Sequence, residues 1–242
     1  MNTRRLIEIA GPTGAGKTTL LDALQKDSRL SEQKTMLAND LLKEIKPNGF
    51  LFPNLDLFAG RRFRKANPNF QRYFDLVHKE LFRNDSFFIK GKRSIQLYES
   101  LCKYEMLGTH YLSHNEERIC LIDEGLVFKS FSRIDITSQL QSIQNLADSF
   151  PLPGGIIYCK APAETIAERA FNRKKTAPIH LGLSQDQITE NIKIQLERAD
   201  EWLSILKSRG LRTYCLDMDE ELPATLDEFW KIIQKFKADI AG

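Results

Sequence analysis

Residues Gly11 to Thr18 read GPTGAGKT and meet the pattern G-x-x-x-x-G-K-[ST] at every fixed position. A loop of this kind holds phosphate. Gly11, Gly14 and Gly16 let the backbone turn and approach phosphate oxygens closely. Pro12, Thr13 and Ala15 complete the loop, whose N–H groups wrap a β-phosphate while the helix behind aims its positive end at it. Lys17 reaches the β- and γ-phosphates, the Thr18 hydroxyl is placed to ligate Mg²⁺, and Thr19 follows in the same turn. The expected ligand is a nucleoside triphosphate, ATP with Mg²⁺.

Two further groups can act on such a ligand. Ile119 to Glu124 reads ICLIDE, an apolar strand ending in two acids. Asp123 can hold Mg²⁺ through water beside the Thr18 hydroxyl. Glu124 is a candidate base, with Asp40 or no residue at all as alternatives. A strand that merely ends in solvated acids reads the same way. Arg169 and Arg173 stand at i, i+4 and share a helix face. Two guanidiniums so placed can stack on a base and clamp phosphate oxygens. The dipole of a helix C-terminus also favours basic residues without any ligand.

These groups need rigid elements to carry them. Strand signals occur at Leu6–Ala10, Arg118–Ile122, Gly155–Lys160 and Leu211–Leu216, with a weaker one at Lys34–Ala38. Helical patterns alternate with them, so the expected class is α/β with a parallel, doubly wound sheet. Such sheets bind ligands at the carboxyl ends of their strands, where Gly11 and Asp123 lie. Pro162 suits a helix first turn, Ser184 with Gln187 forms a capping box, and Gly210 ends the long helix between them. From about 41 to 115 the chain turns helical and rich in Phe, Arg and Lys, and reads as an insertion beside the cleft of one domain spanning 1–242.

Within that insertion, ten basic residues stand against three acidic ones from Arg61 to Arg93. Arg61, Arg62, Arg64 and Lys65 are interleaved with Phe58, Phe63 and Phe70. Guanidiniums beside aromatics suit an anionic acceptor with a flat or apolar part. A solvated helix face with its phenylalanines in the core fits the same pattern.

The net charge of +3 does not suggest nucleic acid as partner, and no stretch is apolar enough to span a bilayer. The chain starts almost directly with its first strand, so no leader is expected. Cys102, Cys120, Cys159 and Cys215 share no metal-ligand spacing, and a reducing, cytoplasmic setting is expected.

The strand, phosphate loop and helix, the strand ending in Asp123 and the R-x-x-x-R of Arg169 and Arg173 together resemble the nucleoside-monophosphate-kinase-like branch of P-loop kinases, the adenylate and thymidylate kinases. Tyr158 to Glu164 followed by Glu168-Arg169 is similar to the entry into the LID of adenylate kinase. That resemblance implies a five-stranded sheet in the order 2-3-1-4-5, a LID at about 173–182 and a helical substrate-binding region. It implies that Arg169 stacks on adenine, that Arg173 contacts phosphates, and that Asp217-Met218-Asp219 borders the adenine. Leu57 to Arg62 is faintly similar to the thymidylate-kinase segment that binds the monophosphate, which places Arg62 there.

The resulting expectation is an ATP- and Mg²⁺-dependent kinase acting on a small molecule, a nucleotide or nucleoside among the candidates. Lys17, Asp123, Glu124 and Arg173 would carry the chemistry, and Arg61, Arg62 and Arg64 would bind the acceptor. A nucleotide-driven switch or ATPase and a nucleic-acid end kinase are the alternatives. No guanine-reading N-K-x-D and no LSGGQ-like signature occurs. The sequence names neither the acceptor nor an oligomeric state.

Overall fold

The computed structural model describes residues 2–45, 63–81, 92–114, 116–131, 140–172 and 182–241. Five strands form one sheet in the order β2-β3-β1-β4-β5. They are β1 (Leu6–Ala10), β2 (Thr35–Leu37), β3 (Ile119–Asp123), β4 (Gly155–Lys160) and β5 (Thr213–Asp217). The order is the one that the kinase resemblance implies. The weak strand signal at Lys34–Ala38 is a three-residue strand, and Pro162 caps its helix from one position outside it.

The chain divides into two compact units, Met1–Ile7 with Lys34–Gly154, and Glu8–Gln33 with Gly155–Gly242. In the first unit β2 pairs parallel with β3, Thr35 opposite Ile119 and Leu37 opposite Leu121. Around this pair lie α3 (Ala38–Ile45), α4 (Pro68–Leu81), α5 (Lys92–Ser113), α6 (Leu126–Phe131) and α7 (Leu140–Ser149). Helix α5 forms because Leu97, Leu101, Tyr104, Leu107 and Tyr111 recur at helical spacing and are all buried. Phe63 and Phe70 meet edge to face at 5.0 Å, and Phe70 stacks on Tyr104 at 5.8 Å. A Cβ on Gly108 would lie 2.0 Å from the Phe63 ring, so only glycine admits this aromatic cluster. Phe63 and Phe70 are therefore core residues.

In the second unit β4 pairs parallel with β5, Ile156 opposite Thr213 and Lys160 opposite Asp217. Its helices are α1 (Lys17–Leu24), α2 (Arg29–Glu32), α8 (Ala163–Phe171), α9 (Gln185–Lys207) and α10 (Leu222–Ala241). The capping box at the start of α9 closes in both directions. Ser184 Oγ accepts from the Gln187 N–H at 3.3 Å, and the Gln187 side chain accepts from the Ser184 N–H at 2.9 Å. Ile188, Ile192, Ala199, Leu203 and Leu206 turn inward from α9. Helix α10 is tied to the α1–α2 turn, where Trp230 Nε1 donates to Asp27 at 3.0 Å and Arg29 bridges Asp27 and Asp227.

Candidate active site

Strand β1 is buried along its whole length and delivers the chain into the phosphate loop. Gly11 is forced by packing, because a Cβ there would lie 2.5 Å from the Cys159 carbonyl oxygen of β4. Gly14 takes a φ of +103° with the Ile166 carbonyl 2.8 Å from where its Cβ would be. Helix α1 starts at Lys17, so its first-turn N–H groups and positive end belong to the loop. The Lys17 ammonium is buried and donates to the Gly11 carbonyl at 2.7 Å and the Pro12 carbonyl at 3.0 Å. Thr18 and Thr19 are exposed on the first turn.

The same unit builds a second wall. Arg169, near the end of α8, donates through Nη1 to the Met218 carbonyl at 2.9 Å. Its Nη2 lies 3.7 Å from Asp219. The loop after β5 is held in shape by the Met218 N–H donating to Lys160 and the Asp219 N–H donating to Asp217. Met218 is buried, and its methyl carbon lies 3.1 Å from where a Cβ on Gly16 would be. Met218 thus links the phosphate loop to the Asp217–Asp219 loop that Arg169 holds.

In the first unit a cavity of about 250 Å³ opens at the carboxyl end of β3. Helix α5 contributes Gln96, Glu99, Ser100 and Lys103, spaced to share one face, together with the buried Tyr104. The strand end contributes Asp123 and Glu124, and α6 contributes Lys129. Asp123 is exposed. Glu124 has a φ of +45°, in the left-handed region that non-glycine residues rarely enter. Its carboxylate accepts from the Lys129 ammonium at 2.5 Å.

Arg64 does not line this cavity. Its Nε lies 3.3 Å from Glu105, and its guanidinium sits 4.8 Å above the Phe74 ring. Burial pushes the Glu105 carboxyl up and the Arg64 charge opposes that shift. Arg64 therefore serves a buried ion pair inside the helical unit. Asp40 lies on α3, is not among the residues lining the cavity, and pairs with Lys43 at 3.0 Å. Arg61, Arg62, Arg173 and most of the LID at 173–182 lie outside the described residues.

Sequence reading missed Gln96, Glu99, Ser100, Lys103 and Lys129. For the four residues on α5 the signal was a polar stripe, which is also what a solvated helix face looks like. Among the described residues no three metal-binding side chains cluster. Mg²⁺ carried by a nucleotide needs few, because phosphates and water fill most of its octahedron. The exposed Thr18 hydroxyl and Asp123 carboxylate are hard oxygen donors of the type Mg²⁺ takes.

No family model matches the chain. It is 26% identical over 218 residues to deoxyguanosine kinase of Bacillus subtilis (strain 168), covering 87% of this chain and 88% of that one. Among solved structures, it is similar to deoxyadenosine kinase from M. mycoides at 14% identity and a TM-score of 0.49, covering 95% of this chain and 99% of that one. It is likewise similar to shikimate kinase from Bacteroides thetaiotaomicron at 14% identity and a TM-score of 0.45, covering 95% and 98%. No helix among the described residues is long and apolar enough to cross a membrane. With a complete phosphate loop on β1, the 2-3-1-4-5 strand order and a kinase relative matched along most of both chains, this protein is a P-loop kinase, a phosphotransferase similar to a nucleoside kinase.

Proposed function

We propose that the protein transfers the γ-phosphoryl group of Mg²⁺–ATP to a hydroxyl of a nucleoside rather than to a nucleoside monophosphate. The observation that carries this reading is the charge balance of the cavity at the end of β3. Among the described residues, Lys103 and Lys129 bring two amines, against the carboxylates of Glu99, Asp123 and Glu124, and no arginine lines it. A dianionic phosphate needs a surplus of cations, typically bidentate guanidiniums. A neutral acceptor rich in donors and acceptors fits a lining of mixed charge with Gln96 and Ser100. The similarity to deoxyguanosine kinase supports a nucleoside acceptor.

The residues divide the work as follows. The amides of Gly14 to Thr18 and the start of α1 hold the triphosphate, with Lys17 on its β- and γ-phosphates. Thr18, and Asp123 through water, would hold Mg²⁺, which offsets charge on the transferring group. Arg169 and the Asp217–Asp219 loop border the adenine, and Arg173 is assigned to the transferring phosphoryl group. The acceptor hydroxyl attacks the γ-phosphorus as its bond to the ADP oxygen breaks, and its proton passes to a carboxylate. Glu124 is favoured over Asp40 for that step, because Glu124 lines the cavity and Asp40 does not. The sequence-based assignment of Arg61 and Arg62 to the acceptor belongs to the alternative in which the acceptor carries a phosphate. The free cysteines accord with a reducing, cytoplasmic setting.

The test is phosphoryl transfer from γ-labelled ATP to a panel of deoxynucleosides, their monophosphates, shikimate and 5′-hydroxyl oligonucleotides. Label on one or more nucleosides is expected. Label on monophosphates alone, or on oligonucleotides alone, overturns the reading.

A further inference from the structure

The cavity wall contains an arrangement that the kinase chemistry alone does not require. Glu124 follows β3 in a left-handed conformation, with a φ of +45°. Five residues later Lys129 returns to it. The Lys129 N–H donates to the Gly125 carbonyl at 3.1 Å, and its ammonium donates to Glu124 Oε2 at 2.5 Å. The turn is therefore closed twice, once by backbone and once by side chain. Both side chains are mostly covered, at 19% exposed for Lys129 and 28% for Glu124. The Lys129 ammonium also lies 5.7 Å above the Phe128 ring, which limits where it can go.

A surface ion pair with this spacing would contribute little and need not be conformationally fixed. Here the pair spans a backbone conformation that is otherwise disfavoured, and both members face the same cavity. A carboxylate has about four lone-pair sites, so one ammonium does not exhaust it. We infer that Lys129 is a positioning residue: it holds the Glu124 carboxylate at the cavity wall, aimed to accept a hydrogen bond from the hydroxyl of the phosphoryl acceptor. The inference rests on the reading of this cavity as the acceptor pocket.

The consequence is specific. An ammonium at 129 sets the geometry, while a carboxylate at 124 makes the contact. The two positions are not interchangeable, even though the attraction between them is symmetric.

The test uses the full-length protein and steady-state kinetics with the nucleoside that gains label. Lys129→Met should lower kcat about 10- to 100-fold, as for a general base moved off line. KM for ATP should stay within about twofold, since the ATP-binding residues are untouched. Lys129→Arg should recover most of the lost kcat. The exchanged pair, Glu124→Lys with Lys129→Glu, should recover the melting temperature that Lys129→Met loses, yet remain as inactive as Lys129→Met or more so. Recovery of kcat by the exchanged pair, or an unchanged kcat in Lys129→Met, overturns the inference. Lys103→Met serves as the control for the pocket. If it raises the acceptor KM while Lys129→Met changes nothing, only the positioning role fails. If neither substitution alters acceptor kinetics, the acceptor pocket lies elsewhere and the functional reading of the cavity fails with it.

Discussion

At the scale of single residues, the chemistry depends on a few charged atoms held by packing that their neighbours dictate. Lys17 lies buried inside the turn of its own loop, donating to two loop carbonyls. Lys17→Ala should lower kcat/KM by about 10²-fold or more, the usual cost of removing a charge that stabilises a transferring group. Circular dichroism of the variant should remain that of the parent. Near-normal turnover would contradict the role. Arg169 is different, since its guanidinium already binds the Met218 carbonyl and fixes the loop after β5. Its contacts are present before any chemistry, so Arg169→Ala should chiefly raise KM for ATP, by about 10-fold, with a smaller effect on kcat. A selective loss of kcat would contradict that assignment. The phosphate loop was fully legible in the sequence because its determinants are contiguous. Lys129 was not, because only the left-handed turn at Glu124 brings it back to the strand end.

At the scale of elements, β1, β3, β4 and β5 were readable because each holds an apolar run bounded on one side by glycine or an acid. The three-residue β2 gave a weak signal for want of length. Helix caps were equally legible. Ser184→Ala removes one arm of a complete capping box and should cost about 1 kcal/mol. In a chain of this size that is a fall in melting temperature of roughly 2–4 °C, readable in a thermal melt. The turn into β3 offers a pH-dependent counterpart. Hydrogen bonds from Arg118 hold the Glu116 carboxyl down at about 2, against an ordinary 4.5. A depressed carboxyl stabilises the fold fully above its unfolded pKa, and that contribution disappears as pH falls through the folded value. Glu116→Gln should therefore be less stable than the parent at pH 7, by about 1–2 kcal/mol after solvent screening. The difference should shrink between about pH 4.5 and 2. A gap that persists unchanged at pH 2 would assign the effect to packing. The α5 stripe marks the limit of element-level reading. Gln96, Glu99, Ser100 and Lys103 have the spacing of any solvated face, and only the position of α5 beside the end of β3 turns that face into a cavity wall.

At the scale of the whole molecule, the sheet order and the phosphate loop establish what kind of reaction the fold serves, and the relative agrees. The acceptor depends on side chains drawn from elements far apart in sequence. Basic residues at 61–65 pointed toward an anionic acceptor, yet Arg64 is turned onto Glu105 and the cavity lining is mixed in charge. The central claim is therefore that the acceptor is a neutral nucleoside. The most direct measurement is kcat/KM for each deoxynucleoside and for its own monophosphate, with Mg²⁺–ATP as donor under identical conditions. At least one deoxynucleoside should exceed its monophosphate by about 10²-fold or more, the discrimination expected when a phosphate meets a pocket whose amines are already balanced by carboxylates. A monophosphate that is the better substrate for every base would contradict the account.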